Sequence, residues 1–532
     1  MTSRRHWLGL ALAGASTFWL PRSAWSQVPW PQDPFGLGVA SGSPGPDSVV
    51  LWTRLLQTDR DHAAALAAGG PVTVAWEIAD DAQFRKTVRR GQAQAEPALA
   101  HSVHVDVAGL APDRWYHYRF MAGSAVSPTG RTRTLPAADA AVARWRLAYA
   151  SCQKWEDGYF SAWRHLLDED VDMVLFLGDY LYEYPGTSSR VRQPAGGWVL
   201  TLDDYRNRYA QYKSDPDLQA MHRACPWLMG WDDHEVQNDY AGEHPGNSGA
   251  RDPAQPADFA RRRNAAYQAW YEHLPLRASA FKRALSGGSG RVAVRVHDRL
   301  QIGRLASLHL LDGRQYRDAQ VCTRDGLPGS STVNPAQCPA WQDSRRSMLG
   351  EAQERWLEQS LARADTAQSV WSVISQQTVF GQRDFRPGPG AVLTNDGWDG
   401  YTAARTRLTD ALQRHRVPNP VLLGGDVHAN WVGHVKADYG QASSATVGVE
   451  FCGTSITSRG GGNAQTAQRL AENPHFVFAE AQEHGYGVAE FTPSQLRTRL
   501  RVVDDVTRRD TRIRTLAAFE VAAGRPVVER SG

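Results

Sequence analysis

Two apolar runs joined by a short helical pattern, WRLAYASCQKWEDGYFSAWRHLLDEDVDMVLFLGDYLYEY (Trp145 to Tyr184), constrain this chain more than any other stretch. RLAYAS breaks at Ser151-Cys152, and YFSAWRHLL sets Phe160, Trp163, Leu166 and Leu167 at helical spacing. VDMVLFLGD is almost continuously apolar, as a strand buried on both faces must be. The pattern predicts a strand–helix–strand unit of a parallel sheet, whose strand carboxyl ends share one edge. Cys152 ends the first run, and Asp179 with Tyr182 ends the second. Thiolate, carboxylate and phenolate gathered at one edge suit a metal ion. An ordinary unit with a buried cysteine and a surface aspartate would carry the same residues, so the other strand ends decide.

At 532 residues the chain exceeds one core, which predicts two domains. A formal charge of +3 is small for this length and argues against a nucleic-acid or membrane partner. Residues 1–26 read as a targeting segment: Ser3-Arg4-Arg5, an apolar run from Trp7 to Leu20, then Ala24-Trp25-Ser26 as a cleavage site. The arginine pair suggests the twin-arginine export machinery, and an ordinary secretory signal with an incidental pair is the alternative. Either way an exported, periplasmic or secreted, protein without a stable membrane anchor is expected. Of the five cysteines, Cys322 and Cys338 flank a Gly/Pro-rich loop and are the candidate disulfide. Cys225 and Cys452 are expected to pair or to stay buried thiols.

From residue 28 to 136 short alternating runs (DSVVLWTRL, PVTVAWEIA, HSVHVDVAGL, DRWYHYRFMAG) alternate with turns, predicting a β-sandwich. Leu110-Ala111-Pro112 before Trp115-Tyr116-His117-Tyr118 resembles the tyrosine-bearing strand of fibronectin type III-like domains. Further on, CPWLMGWDD ends in Asp232, Asp233, His234 and Glu235, followed by Asn238 and Asp239. LASLHLLD ends at Asp312, with Arg314 and Arg317 beyond it, either an oxyanion clamp or partners of a structural ion pair. VPNPVLLGGDVHANW enters Gly424-Gly425 and presents Asp426 and His428 two residues apart, a spacing that points both the same way where the chain is extended. After Thr492 an edge strand and a helix-like basic end are expected.

The order S-C-Q, G-D-Y-L-Y-E-Y, W-D-D-H-E-V-Q-N-D, D-G-R-Q-Y-R, M-L-G-E-A-Q-E-R-W-L, D-G-W-D-G-Y and G-G-D-V-H resembles the PhoD-like alkaline phosphatases of the calcineurin-like metallophosphoesterase superfamily. The resemblance implies an α/β fold: an αββα two-sheet catalytic sandwich at 144–515, an N-terminal all-β fibronectin III-like domain at 28–136, and a tail at 516–532. It also implies an exported phosphatase acting on phosphate monoesters and diesters through a metal-activated hydroxide at an Fe³⁺ and Ca²⁺ centre. By that resemblance Asp179 bridges the metals, Cys152, Tyr182 and His428 complete the iron side, and Asp233, Asn238 and Asp426 form the calcium side. The middle histidine block of the superfamily has no match, and Gln376 and Gln377 stand where it is expected.

The residues support the same division independently. Thiolate, phenolate and imidazole suit a ferric ion, and an all-oxygen set favours a hard cation. His234 is the candidate to protonate the leaving alkoxide, and Arg314 the candidate to clamp a phosphoryl oxygen. A phosphodiesterase or phospholipase D-like enzyme on polymer or lipid phosphodiesters would use the same chemistry. A non-catalytic exported binding protein is the reading from another class, and an iron or copper oxidase lacks the histidine-rich set.

Overall fold

The computed structural model describes residues 30–532 except 58, 187–190, 250–251, 254, 284–291 and 442. The expected targeting segment at 1–26 lies outside the described residues, as does part of the polar stretch after Gly186.

Three parallel strands, Trp145–Ala150, Met173–Phe176 and Trp227–Met229, form the centre of a ten-stranded sheet. All residues of the second and third are buried, which is why their sequences carry no alternation. The helix Ser161–Leu166 joins the first two and sets Trp163 against Trp227, with ring centroids 5.0 Å apart. On one side the sheet continues antiparallel through His484–Phe491, Gln495–Val503, Ile513–Ala522 and Glu529–Arg530. The helix-like end expected after Thr492 is therefore strand. IRTLAAFEVA buries Ala517, Phe519 and Val521 at a period of two.

On the other side the ten-stranded sheet is continued by Val39–Gly42, Ser48–Arg54 and Ser102–Ala108, with Gly42 paired to Trp227. The N-terminal segment is β-rich, as its alternation predicts, and a five-stranded sheet packs on these strands through Val49, Leu51, Val74, Ile78, Val105, Tyr118 and Phe120. The Tyr116 hydroxyl accepts the Ala111 N–H at 2.9 Å.

A seven-stranded sheet runs in the order Asp298–Ile302, Ala306–Leu310, Trp371–Ser375, Pro420–Gly424, Thr446–Cys452, Asn430–Lys436, Phe476–Glu480. The second to fifth of these are parallel. Leu308, Val373, Leu423 and Phe451 from this sheet share one apolar cluster with Tyr149, Phe176 and Trp227 from the first. On the far face Leu357, Leu361, Leu408 and Leu412, from helices Gly350–Leu361 and Thr402–Arg414, pack on Ile374 and Leu422. Cys322 and Cys338 form the expected disulfide, while Cys225 and Cys452 are buried thiols.

The N-terminal strands meet the helix Leu202–Lys213 at an uncommon contact. Lys213 is 2% exposed, its Nζ has no hydrogen-bond partner, and it lies 4.2 Å from the centre of the Trp52 ring. Burial pushes its ammonium from 10.5 down to about 7. The nearby His222 and His273, also buried, are held well below the ordinary imidazole value and carry no charge in this range. Between about pH 7 and 10.5 the unfolded chain therefore binds more protons at this site than the folded one, so Lys213 makes stability rise with pH. Lys213→Met is expected to raise Tm by about 2–4 °C at pH 6.5 and to flatten that rise. Thermal melts of both proteins at pH 6.5 and 9.5 check this, and equal shifts at the two pH values would refute it.

Candidate metal centre

The two sheets meet at their strand carboxyl ends. In the first, Cys152, Asp179 and Asp232 follow the three central parallel strands by two or three residues. In the second, Asp312 and Asp426 follow their strands by two residues and Gln376 follows its strand by one. A parallel bridge between Ser151 and Ser455 ties one edge to the other. Two glycines permit the approach: a Cβ on Gly178 would stand 2.5 Å from the Asp232 nitrogen, and one on Gly425 2.4 Å from Ser151 Oγ. Cys152, Asp179, Asp426 and His428 all have left-handed backbone (φ 59°, 58°, 68° and 51°), a conformation non-glycine residues keep only where the surroundings impose it.

Ligand atoms of Cys152, Asp179 and His428 lie within 4.8 Å of one another, and so do those of Asp179, Asp233 and His234. Asp179 is common to both groups. The Tyr182 hydroxyl donates to Asp179 Oδ2 at 2.9 Å, accepts from Ser458 Oγ at 2.7 Å, and lies 3.2 Å from His428 Nε2. His428 Nδ1 donates to the Arg459 carbonyl at 2.9 Å, which leaves Nε2 as the lone-pair nitrogen. Burial pushes the His428 imidazole down to about 4, so that nitrogen is unprotonated at neutral pH.

His234 donates from Nδ1 to Glu183 Oε2 at 2.7 Å. Its ring is 4.1 Å from that of Tyr182 and 5.3 Å from that of Tyr184. Glu183 also accepts the Asn238 N–H (2.9 Å) and Ser248 Oγ (2.6 Å). Burial works against its charge, yet His234 draws its carboxyl down to about 2. The Asn238 side-chain amide donates to the Asn247 carbonyl at 2.8 Å, leaving its oxygen outside these bonds. Asp233 Oδ2 accepts the Asp239 N–H at 2.7 Å.

Charge at this edge is unbalanced. Arg314, 2% exposed, donates from Nε to Asp232 and from Nη1 to both oxygens of Asp396 (3.0 and 3.2 Å); its Nη2 lies 3.5 Å from Asp233 and 4.0 Å from Asp426. Arg317 donates to the same Asp396 at 2.5 Å. Even so, Asp179 Oδ1, Asp232 Oδ2 and Asp233 Oδ1 are buried with no hydrogen-bond partner. Burial raises the Asp179 carboxyl well above its usual range, with Asp233, Glu235 and Asp426 adding to the rise, and burial beside Asp179 does the same to the Cys152 thiol and the Tyr182 phenol. Orphaned buried carboxylate oxygens beside a thiol, a phenol and an imidazole are a donor set that cations would satisfy. The residues present fit a metal centre.

Several expectations change on contact with this geometry. All three guanidinium nitrogens of Arg314 face carboxylates, so the ion-pair reading describes it and an open oxyanion clamp does not. Asp426 and His428 do not sit on extended backbone; each turns separately, His428 toward Cys152 and Asp179, Asp426 toward Arg314. Gln376 is occupied by Thr378 and Trp398 (3.0 Å to each of Thr378 N and Trp398 Nε1), and Gln377 by Gly313 N and the Leu311 carbonyl, both at 2.8 Å. Neither glutamine offers a free donor where the histidine block was expected. In the sequence Glu235 stands out only as part of an acidic run. It accepts backbone N–H groups from Asp232 (2.8 Å), Asp179 (3.1 Å) and Tyr180 (2.6 Å), tying two strand ends together, and burial pushes its carboxyl up to about 7. Asp396, in the D-G-W-D-G-Y motif, is the shared partner of Arg314 and Arg317, a pairing with no local sequence signal.

Comparison with known proteins identifies the family of the chain. Residues 147–500 match the family model described as PhoD-like phosphatase, and residues 22–136 match PhoD-like phosphatase, N-terminal domain. The chain is 43% identical to alkaline phosphatase D of Bacillus subtilis (strain 168) over 497 residues, covering 91% of this chain and 80% of that protein. A solved structure described as "Structure of PhoD" superposes with a TM-score of 0.84 at 40% identity, covering 95% of this chain and 93% of the other. The chain belongs to the PhoD-like phosphatase family.

Proposed function

We propose that this chain is an exported, metal-dependent phosphatase that hydrolyses phosphate monoesters and diesters at a paired cation centre. The observation that carries this reading is the set of buried, unpartnered oxygens on Asp179, Asp232 and Asp233 beside Cys152, Tyr182 and His428. In this reading Cys152, Tyr182, His428 and Asp179 would hold Fe³⁺, and Asp179, Asp233, Asn238 and Asp426 would hold Ca²⁺. When bound, such cations neutralise phosphoryl oxygens and lower the pKa of water. Export rests on the arginine pair and apolar run of residues 3–26, which suit the twin-arginine machinery. The frame is read as an αββα sandwich at 144–515 behind a fibronectin III-like domain at 28–136.

The protein's own groups supply the remaining chemistry. His234, its Nδ1 held by Glu183, is oriented to hand the Nε2 proton to the leaving alkoxide. Ser458 holds the Tyr182 oxygen in place by donating to it at 2.7 Å. Arg314 spans Asp232, Asp233, Asp396 and Asp426, so we assign it the role of counter-charge that lets four carboxylates share one pocket.

Metal analysis with a phosphate-release assay tests this directly. Purified protein is expected to carry about one iron, and chelation is expected to abolish release until calcium is returned. Two zinc ions and no iron would refute the assignment of the metals. His234→Ala is expected to lower kcat on the order of 100-fold while metal content stays intact. Joint loss of metal and activity would make His234 a ligand instead.

A further inference from the structure

Lys154 stands at the rim of this centre, and no role above uses it. Its backbone is pinned: the carbonyl accepts Thr457 Oγ1 at 2.7 Å. Its ammonium lies 5.2 Å from the centre of the Tyr182 ring and 5.0 Å from that of Tyr184. The same two rings flank His234, at 4.1 and 5.3 Å. So the cation and the imidazole share one aromatic wall, which Trp198 extends beyond Tyr184 (ring centroids 5.6 Å apart). Beside so many carboxylates a lysine would ordinarily sit on one of them. Among the described residues Lys154 has no carboxylate within 4 Å; Glu156 feels its charge only at longer range. The neighbouring cation Arg459 does have such a partner, Asp157 at 3.6 Å.

An ammonium packed against aromatic rings still presents its three donors to a ligand. Carboxylates crowd this pocket, and they repel any second anion on a substrate unless a cation receives it. We propose that Lys154 is a specificity-determining residue that receives an anionic group on the leaving-group side of the substrate. The favoured esters are those whose leaving group carries a second negative charge, a carboxylate or a further phosphate. This rests on the phosphatase reading, in which His234 marks the leaving-group side.

The test uses the metal-loaded full chain and two aryl phosphates of matched leaving-group acidity, one with a neutral ring and one with a ring carboxylate. The quantity read is the ratio of kcat/KM for the carboxylated ester to that for the neutral one. Lys154→Met is expected to lower this ratio about tenfold, as loss of one charge-assisted hydrogen bond does, and Lys154→Arg to keep it within about twofold. Lys154→Gln serves as the second neutral variant should the methionine protein fail to fold. An unchanged ratio in the neutral variants, whatever the absolute rates, overturns the assignment of Lys154 alone. Failure of the unsubstituted enzyme to release phosphate from either ester overturns the phosphatase reading, and this inference with it.

Discussion

Everything about this site follows from concentrating negative charge where two sheet edges touch. Asp179, Asp232, Asp233, Asp396 and Asp426 approach one another with Arg314 as the guanidinium that reaches four of them. A buried carboxylate without a counter-charge is costly in a medium of low dielectric. The fold answers with Arg314 and Arg317 on one flank and with backbone N–H groups on Glu235 and Asp233 on the other. What remains unsatisfied is a set of three oxygens, and those oxygens define where cations belong.

Holding the donors there strains the backbone. Four of the candidate ligands occupy left-handed conformations that their side chains disfavour, at a cost of roughly 1–3 kcal/mol each. Both sheets are needed to impose this. Cys152 is fixed by the Gly178 carbonyl on its N–H and by the Ser458 N–H on its own carbonyl, while Gly425 abuts Ser151. The site is a property of the junction, and neither sheet carries it alone.

The sequence shows the strand ends and hence most of the donors. Cys152, Asp179, Asp233 and His428 each close an apolar run, and chemistry at the end of such a run is readable from local pattern alone. The pairing of donors across sheets is not. That Arg314 is saturated by carboxylates, that Gln376 accepts the Trp398 indole N–H and Gln377 binds the backbone of Leu311 and Gly313, and that Glu183 orients His234 all depend on contacts between segments well separated in the chain. Asp426 and His428 show a subtler gap. Their two-residue spacing suggests a shared direction, but left-handed turns at both send them to different partners. The N-terminal alternation was legible as β-structure, whereas the ladder between Gly42 and Trp227 had no local signal.

That ladder governs the order in which the chain can become itself. The strands Val39–Gly42 and Ser48–Arg54 are synthesised early, yet the edge that receives them is made only when Trp227–Met229 emerges, and the opposite edge waits for His484–Phe491. Until then the central strands have open hydrogen-bonding edges, the kind of surface on which chains associate with their neighbours. The first residues of the described chain are thus a late-fitting closure for its middle, and assembly from amino to carboxyl terminus in simple succession is not available to this topology.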